Sequence, residues 1–130
     1  MAFLSIFPNT DGFTVVITKD HYPSYNFDLP DNVLTELVLA SKKVGNLLDK
    51  SFDTVSRTGL IMEGFGVDHV HTKLIPMHGT ADMKEWKPIL SSNKTFFDKY
   101  QGYLSLHDCD KADDKKLSEI ANRIRRHNKT

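Results

Sequence analysis

The chain has 130 residues, of which 39% are hydrophobic and 26% charged, a composition typical of a single soluble globular domain. Its 17 basic and 17 acidic side chains cancel, so no overall field favours nucleic acid as a partner, and any affinity for phosphate must be local. The single cysteine excludes a disulfide framework and favours a reducing, cytoplasmic location, and no apolar run reaches the roughly 18 residues that a membrane helix needs.

The first part of the chain contains two short apolar runs that a cluster of turn residues separates. Residues 2–7 form the first run, residues 8–12 the turn cluster, and the β-branched residues 13–18 the second run. This order predicts two neighbouring antiparallel strands joined by a tight turn. Because the first strand starts almost at Met1, we expect the natural chain to carry a further segment upstream.

A long helix is predicted next. Asp28, Pro30 and Asp31 form a helix-start pattern, because aspartate can accept hydrogen bonds from the free amides and proline fits the first turn. The apolar stripe that follows runs to about Lys50 and consists of Val33, Leu37, Ala40, Val44 and Leu47. We expect this stripe to pack inside the protein rather than on a lipid or a partner.

Two further strands are predicted after the helix, joined as an antiparallel pair. Residues 57–63 form the first strand, residues 63–66 the turn and residues 67–76 the second strand. Pro76 is expected to end the second strand, because proline cannot donate a hydrogen bond to a neighbouring strand.

The sequence pattern that indicates helices and strands is weaker past Gly79. Short helical segments are predicted at residues 83–90 and 95–100, followed by a C-terminal helix over residues 112–127 whose acidic start and basic end suit the helix dipole. The elements together predict an α+β fold, in which an antiparallel sheet packs with one long helix and a C-terminal helix.

His69, His71 and Lys73 occupy alternate positions of the fourth predicted strand. Alternate side chains of a strand point to one face, about 6.5–7 Å apart, which lets two of them act on one small anionic substrate. The residues between them, Val70 and Thr72, face the other way, where a core can cover them. Two alternatives stay open: the histidines could be solvated on an exposed sheet face, or they could bind a metal, for which Lys73 is a poor third ligand.

Three segments that lie apart in the chain carry a resemblance to a known family. They are FLSIFPNTDGFTVVI at residues 3–17, KDH at residues 19–21 and HVHTKLIP at residues 69–76. In this order they resemble the histidine triad (HIT) family of nucleotide hydrolases and transferases, over residues 2–78. Residues 100–108, YQGYLSLHD, are similar to a bacterial subgroup of HIT-like hydrolases.

The resemblance implies a HIT-like fold, a homodimer, and nucleotidyl transfer through a covalent nucleotidyl-histidine. The implied substrates are dinucleoside polyphosphates or nucleoside phosphoramidates, whose phosphoanhydride or phosphoramidate bonds are hydrolysed. It implies no required cofactor, although a divalent cation could accompany the substrate. We expect a single domain over residues 1–130, in which residues 80–130 are an extension specific to the subgroup.

The resemblance makes four residues candidates for catalysis. His71 matches the nucleophile, His69 matches the first motif histidine, which supports the loop around the phosphate, and Lys73 stands where the third histidine belongs. His21 matches the histidine that follows the second strand and partners the third one. Six further residues are candidates for binding the nucleotide, and they lie in the first strand, in the turn after it and in the loop before the motif: Ser5, Ile6, Asn9, Gly64, Phe65 and Gly66.

The chain also departs from the family pattern. Lys73 replaces the last histidine of the motif, and residues 64–67, GFGV, lack the glutamine and the hydroxyl that assist the phosphate in many members. The paired cysteines of the zinc-bearing members are absent, so no metal site is expected. Two functions therefore stay open, a HIT-type hydrolase and a nucleotide-binding module with impaired catalysis. A third and less favoured alternative is a metal-binding protein that uses His69, His71 and His21 as ligands.

Five other residues are expected to play minor parts. We expect Glu63 to be a surface charge at the strand end and Asp68 to be an exposed edge residue. His78 could reach the phosphates from the loop after the strand or lie on the plain surface. His107 and Asp108 belong to the subgroup pattern, and the sequence assigns them no role.

Overall fold

The chain folds around one antiparallel sheet and two helices, which the computed structural model describes at residues 1–83, 85–92, 94–100 and 109–128. In chain order the elements are β1 (Ala2–Leu4), β2 (Thr14–Ile17), a short 3-10 helix (Asn26–Asp28), α1 (Asp31–Ser51), β3 (Val55–Ile61), β4 (His71–His78) and α2 (Asp114–Arg126). His107 and Asp108 lie outside the described residues. The architecture confirms the predicted α+β fold of a sheet, a long helix and a C-terminal helix.

The sheet has the strand order β1-β2-β4-β3, and every neighbouring pair is antiparallel. β4 lies in the interior of the sheet, with β2 on one side and β3 on the other. Ile17 is paired with His71, and Lys73 is paired with Val15 of β2 and Ile61 of β3. An interior strand therefore carries most of the histidine motif.

The side chains along β4 alternate between a buried face and a half-buried face. Val70, just before the strand, and Thr72 are fully buried, whereas His71 and Lys73 keep part of their surface exposed. α1 covers the buried face, where its Ser41 hydroxyl oxygen lies 2.7 Å from that of Thr72. We refer to the opposite surface, which carries His71 and Lys73, as the histidine face. The predicted alternation is confirmed.

The core lies between α1 and the sheet. Its largest cluster of buried side chains consists of Val16, Leu29, Leu37, Leu48, Phe52, Val55, Val70 and Leu74. Burying one aliphatic side chain of this size contributes about 1.5–3 kcal/mol relative to leaving it exposed. The predicted stripe on α1 faces this cluster, since Leu37 belongs to it and Val33, Ala40 and Val44 pack against it.

β1, β3 and α1 differ at their ends from the sequence predictions. β1 ends at Leu4, three residues earlier than predicted, and Ile6 and Phe7 after it are exposed. β3 covers Val55–Ile61, two residues ahead of the predicted range. α1 begins at Asp31 with no side-chain cap, so the predicted aspartate cap is wrong.

β4 begins and ends later than predicted. It starts at His71, so His69 lies in a bend before the strand. It continues through Pro76 to His78, and the prediction that the proline ends it is wrong. The pairing with β2 stops at Leu74, and the pairing with β3 is irregular just before Thr58. Pro76 is therefore tolerated, because the neighbouring ladders are interrupted beside it.

Residues 83–90 and 95–100 are not helical where they are described, contrary to the sequence prediction. Apart from Met83, which is buried, most of their large apolar side chains have no core to pack on, since Trp86 is 76% exposed and Leu90 86%. Pro88 also removes an amide donor from the middle of the first segment. Helices this short are unstable in water unless one face packs on other elements.

α2 packs beside α1 and confirms the predicted C-terminal helix. Asp113 caps it by accepting a hydrogen bond from the Lys116 amide at 2.9 Å, and Ile120 and Ile124 pack against the core cluster. Lys116 also binds Asp11, in the turn after β1, with Nζ 2.8 Å from Oδ1. The hydrogen bond to Asp11, together with its charge, raises the pKa of Lys116.

Across the described parts of the chain, no helix combines the length and the hydrophobicity that crossing a membrane requires.

Candidate active site

His71, the first residue of β4, holds its ring in a defined orientation. Its Nδ1 lies 2.8 Å from the backbone carbonyl oxygen of His69. A carbonyl oxygen can only accept, so in the neutral ring Nδ1 carries the hydrogen and Nε2 keeps a free lone pair. The ring is half-buried, so part of it stays accessible. An imidazole that attacks phosphorus requires this arrangement.

His69 is fixed to the residue that follows β2. Its Nε2 lies 3.1 Å from both the hydroxyl oxygen and the carbonyl oxygen of Thr18. The Thr18 hydroxyl donates its own hydrogen to the Asp20 carbonyl at 2.7 Å, so both oxygens act as acceptors towards His69. His69 therefore donates from Nε2, and this bond holds the residue whose carbonyl orients His71.

His21 lies against His69. The two rings meet edge to face with their centroids 5.4 Å apart, and Nε2 of His21 donates to the Asp68 carbonyl at 2.8 Å. The resemblance led us to expect His21 beside residue 73, whereas these contacts run to the bend before β4. His21 thus supports the segment that carries His69.

Backbone contacts join the segment after β2, residues 18–24, to the bend before β4. The amide of Ser24 donates to Oδ1 of Asp68 at 3.0 Å, and the amide of Val70 donates to the Tyr22 carbonyl at 2.9 Å. Asp68 is exposed, as predicted, yet both its carboxylate and its carbonyl hold the other segment. These irregular bonds take the place of strand pairing, which is why β4 begins only after the bend.

Lys73 forms an ion pair with Glu63, a carboxylate that the sequence analysis placed on the surface. Its Nζ lies 2.6 Å from Oε1 of Glu63, and the two side chains are 18% and 2% exposed. The angles of this contact fall outside those of a hydrogen bond, and Oε2 has no hydrogen-bond partner among the described residues. The prediction that Glu63 is a surface charge is therefore wrong. Ile61 pairs with Lys73, and a residue two positions beyond Ile61 tends to the same face, which accounts for the contact.

Three of the nucleotide-binding candidates lie in the loop between β3 and β4, a few residues before His69 in the sequence. Gly64 and Gly66 have φ angles of 76° and 95°, which favour glycine. Gly64 also packs so closely that a Cβ there would lie 3.2 Å from the Ser24 carbonyl oxygen. Phe65 is 57% exposed and stacks on Tyr100 with ring centroids 5.5 Å apart. The loop is therefore shaped by close contacts and leads directly into the bend at His69.

The other three nucleotide-binding candidates, Ser5, Ile6 and Asn9, lie toward the far end of the sheet. The amide of Ser5 donates to the Phe13 carbonyl at 2.9 Å, four residues along β2 from the partner of His71. At about 3.3 Å per residue this is roughly 13 Å along the strand. Ile6 is exposed, and Oδ1 of Asn9 is buried with no hydrogen-bond partner among the described residues. The structure therefore does not group these three with the histidines.

His78 is held away from the candidate site. It ends β4, where its Nδ1 accepts from the Thr54 hydroxyl at 2.7 Å and its Nε2 donates to the Asp11 carbonyl at 2.9 Å. Both ring nitrogens thus join β4 to neighbouring turns. His78 is seven residues from His71, about 23 Å along the strand, so the idea that it reaches the same phosphates is wrong.

The described residues contain no group of three or more His, Cys, Asp or Glu side chains that could hold a metal ion. His21, His69 and His71 instead each direct one ring nitrogen to a backbone carbonyl oxygen. The alternative of a metal-binding protein gains no support from this geometry.

Comparison with known proteins by sequence points to one family. A family model described as HIT domain matches residues 1–80. An uncharacterized HIT-like protein of Methanocaldococcus jannaschii is 33% identical over 82 residues, which cover 60% of this chain. The match spans 62% of the length of that relative, which is less than two thirds of it.

Comparison by structure finds the same fold. The chain is similar to a Hit-like protein involved in cell-cycle regulation from Bartonella henselae, with a TM-score of 0.65, over 97% of this chain and 78% of that one. It is also similar to a hypothetical histidine triad nucleotide-binding protein from Sulfolobus tokodaii, with a TM-score of 0.67, over 97% of this chain and 75% of that one. Sequence identity is 20% in both cases, so these likenesses establish the fold alone.

Proposed function

Because this chain belongs to the HIT domain family, we propose that it is a nucleotide hydrolase in which His71 carries a nucleotidyl group from the substrate to water. Its substrates are dinucleoside polyphosphates or nucleoside phosphoramidates, and the bond that breaks is a phosphoanhydride or phosphoramidate bond. The observation that carries this proposal is the hydrogen bond from Nδ1 of His71 to the His69 carbonyl, which leaves Nε2 free to attack.

The proposed reaction has two displacements at one phosphorus atom. The Nε2 lone pair of His71 forms a bond to the α-phosphorus, and the leaving group departs with its electron pair and takes a proton from water. Nδ1 keeps its hydrogen and donates it to the His69 carbonyl oxygen throughout, and this hydrogen bond stabilises the positive charge of the substituted ring. Water then attacks the same phosphorus, the phosphorus–nitrogen bond breaks, and a nucleoside monophosphate and free His71 result.

We assign the other three catalytic candidates to support of these steps. His69 orients His71 through its carbonyl, and His21 supports the bend through the Asp68 carbonyl, so both are positioning residues. Lys73 takes the place of the third family histidine and supplies positive charge beside His71. Its ammonium is a compact point charge, which can stabilise the phosphate oxygens as the charge on them develops.

The proposed binding mode places the nucleotide along the histidine face. Ser5 shares this face with His71, because its partner Phe13 and the His71 partner Ile17 are an even number of residues apart on β2. The six binding candidates would border the two ends of the nucleotide: Gly64, Phe65 and Gly66 near the phosphates, and Ser5, Ile6 and Asn9 near the nucleoside. We further propose a cytoplasmic homodimer that binds neither nucleic acid nor membranes, supported by the family resemblance and the neutral net charge.

One observation favours a second candidate function, a nucleotide-binding module without turnover. Lys73 is already paired with Glu63 at the position of the third family histidine. If Lys73, while paired with Glu63, cannot assist the departure of the leaving group, the chain binds nucleotides and releases them unchanged.

Product analysis tests the proposal. The protein is incubated with diadenosine tetraphosphate or adenosine phosphoramidate, and the appearance of adenosine monophosphate is followed by chromatography. We expect His71→Ala to lower the rate about a thousandfold or more, because it removes the nucleophile. His127→Ala is the matched control, since His127 is exposed at the end of α2, and it should keep the wild-type rate.

Two results would contradict this proposal, the first its nucleophile and the second the hydrolysis itself. Monophosphate that forms equally fast with His71→Ala would exclude His71 as the nucleophile. A nucleotide that binds to the wild-type protein but is recovered unchanged with both substrates would establish the binding module instead.

A further inference from the structure

Lys73 is paired with a carboxylate to which the proposed reaction gives no role. The side chain of Glu63 is 2% exposed, and its Oε1 lies 2.6 Å from the ammonium nitrogen of Lys73. Taking two charges out of water is costly, and a charge left alone in such a place is more costly still. Each of the two charged groups is therefore stable in this place only while the other stays beside it.

The pair lies beside the candidate nucleophile. Lys73 and His71 are alternate residues of β4, so their side chains share the histidine face and start about 6.5–7 Å apart. The pairing of Ile61 with Lys73 brings the end of β3 to the same point, and Glu63 follows two residues later. A phosphate bound at His71 would thus be within reach of the Lys73 ammonium.

The backbone around Glu63 is held firmly. The next residue, Gly64, has a φ of 76° and packs against the Ser24 carbonyl. Ser24 in turn donates to Asp68, in the bend that carries His69. The segment that holds Lys73 is therefore part of the same set of contacts that orients the histidines.

The second carboxylate oxygen of Glu63 has no donor of its own among the described residues. This oxygen, Oε2, is buried. The carboxylate is not engaged by other donors there, so its charge acts mainly on Lys73. The side chain fixes the ammonium in place and also cancels part of its field.

We propose that Glu63 is a positioning residue that fixes the Lys73 ammonium beside His71 and restrains its affinity for phosphate. This inference rests on the proposed nucleotidyl transfer. A free cation binds substrate and product phosphates alike, which tightens binding without speeding the chemical step. A held and partly neutralised donor instead acts where charge develops on the phosphate oxygens, and it releases the product.

Glu63→Gln tests this inference, because it keeps the volume of the side chain and removes its charge. We expect kcat to fall about tenfold, and the Kd for adenosine monophosphate also to fall, about threefold to tenfold, because the ammonium is released from its partner. A residue with a purely structural role would weaken binding instead. Glu36→Gln, on the exposed side of α1, is the matched control and should change neither value.

Glu63→Asp separates position from charge. Aspartate keeps the negative charge but is one methylene shorter, so the Kd for adenosine monophosphate should stay within about twofold of wild type while kcat falls. A Kd that tightens as much as in Glu63→Gln would overturn the charge-restraining role.

The double variant Glu63→Gln/Lys73→Gln removes both charges and leaves no lone buried ion, so it remains measurable if Glu63→Gln fails to fold. Compared with Lys73→Gln alone, the double variant should differ in kcat and in the Kd for adenosine monophosphate by less than about twofold. A tenfold effect of the change in that background would overturn the inference, because Glu63 would then act independently of Lys73.

The two proposals fail in different ways. If the wild-type protein binds adenosine monophosphate but hydrolyses neither substrate, the hydrolase is excluded, and the Kd values still decide the restraining role of Glu63. If the wild-type protein hydrolyses substrate and Glu63→Gln matches it in kcat and Kd, the inference is overturned and the hydrolase stands.

Discussion

The imidazole of His71 is oriented by a backbone carbonyl, that of His69, at 2.8 Å. A carbonyl partner fixes the tautomer without adding a negative charge, so the ring can serve as a neutral nucleophile. His69 is in turn oriented by Thr18, and His21 by Asp68. Each of the three histidines thus directs one ring nitrogen to a backbone carbonyl oxygen.

Gly64→Ala is predicted to destabilise the protein and to slow turnover. The new methyl group would lie 3.2 Å from the Ser24 carbonyl oxygen, at a φ of 76° that alanine adopts only at a cost. We expect the free energy of unfolding, measured by urea denaturation, to fall by about 1–3 kcal/mol. Turnover should fall because the loop carries Glu63 and leads into His69.

Gly45→Ala is the matched control for this change. Gly45 lies within α1, and a Cβ there would meet no atom within 4 Å. Alanine is the better helix former by about 0.5–1 kcal/mol, so stability should rise and turnover should not change. If Gly64→Ala were as stable as Gly45→Ala, the close approach of the loop to Ser24 would be refuted.

At the scale of elements, α1 and β4 meet through a buried pair of hydroxyl groups. Ser41 donates to the Leu37 carbonyl at 2.8 Å, so the Thr72 hydroxyl, 2.7 Å away, donates to Ser41. Both residues have no exposed surface. This bond fixes how β4 sits against the helix and therefore which way His71 and Lys73 face.

Replacing the two hydroxyls is predicted to be strongly non-additive. Ser41→Ala leaves the Thr72 hydroxyl buried without this acceptor and should cost about 1–3 kcal/mol, whereas Thr72→Val should cost about 0.5–1.5 kcal/mol. The double variant should cost less than the sum, because no donor is then left unsatisfied. Urea denaturation of the three variants measures this, and strictly additive losses would show that the hydroxyls do not interact.

The alternation along β4 could be predicted from the sequence because it depends only on local geometry. A strand sends Val70 and Thr72 one way and His71 and Lys73 the other, whatever its neighbours are. The length and apolar stripe of α1 are local patterns of the same kind.

The burial of Glu63 could not be predicted in this way, because it depends on which residues of β3 and β4 are paired. The register of Ile61 against Lys73 is a long-range property that one sequence does not specify. The start of β4 was missed for a similar reason, since bonds from Tyr22 and Ser24 decide it. The roles assigned to the candidate site residues, and the division at residue 80, stay predictions.

For the molecule as a whole, one core cluster supports both the sheet and α1. Leu48 has no exposed surface and belongs to this cluster, whereas Leu39 of the same helix is 52% exposed. Leu48→Ala should lower the free energy of unfolding by about 2–5 kcal/mol, because it removes buried contacts and leaves a cavity. Leu39→Ala should change it by less than about 1 kcal/mol. Equal effects of the two changes in urea denaturation would mean that this cluster is not the main core.

The histidine face depends on this core. One side of β4 is buried in the core, and the opposite side carries His71 and Lys73. The family likeness covers residues 1–80, which include every strand and the whole of α1. The sheet and the helix packed on it therefore hold the nucleophile candidate, its orienting carbonyl and the Lys73–Glu63 pair in fixed relation.

The central claim is that His71 becomes covalently bound to the nucleotide, and mass spectrometry of the reacting protein tests it most directly. The protein is mixed with adenosine phosphoramidate, quenched in alkali within the first turnover, digested and sequenced. We predict one adenylyl group on the peptide that contains His71, attached to that residue, and none in His71→Ala. Monophosphate formed without any modified peptide, or an adenylyl group on a different residue, would contradict the account.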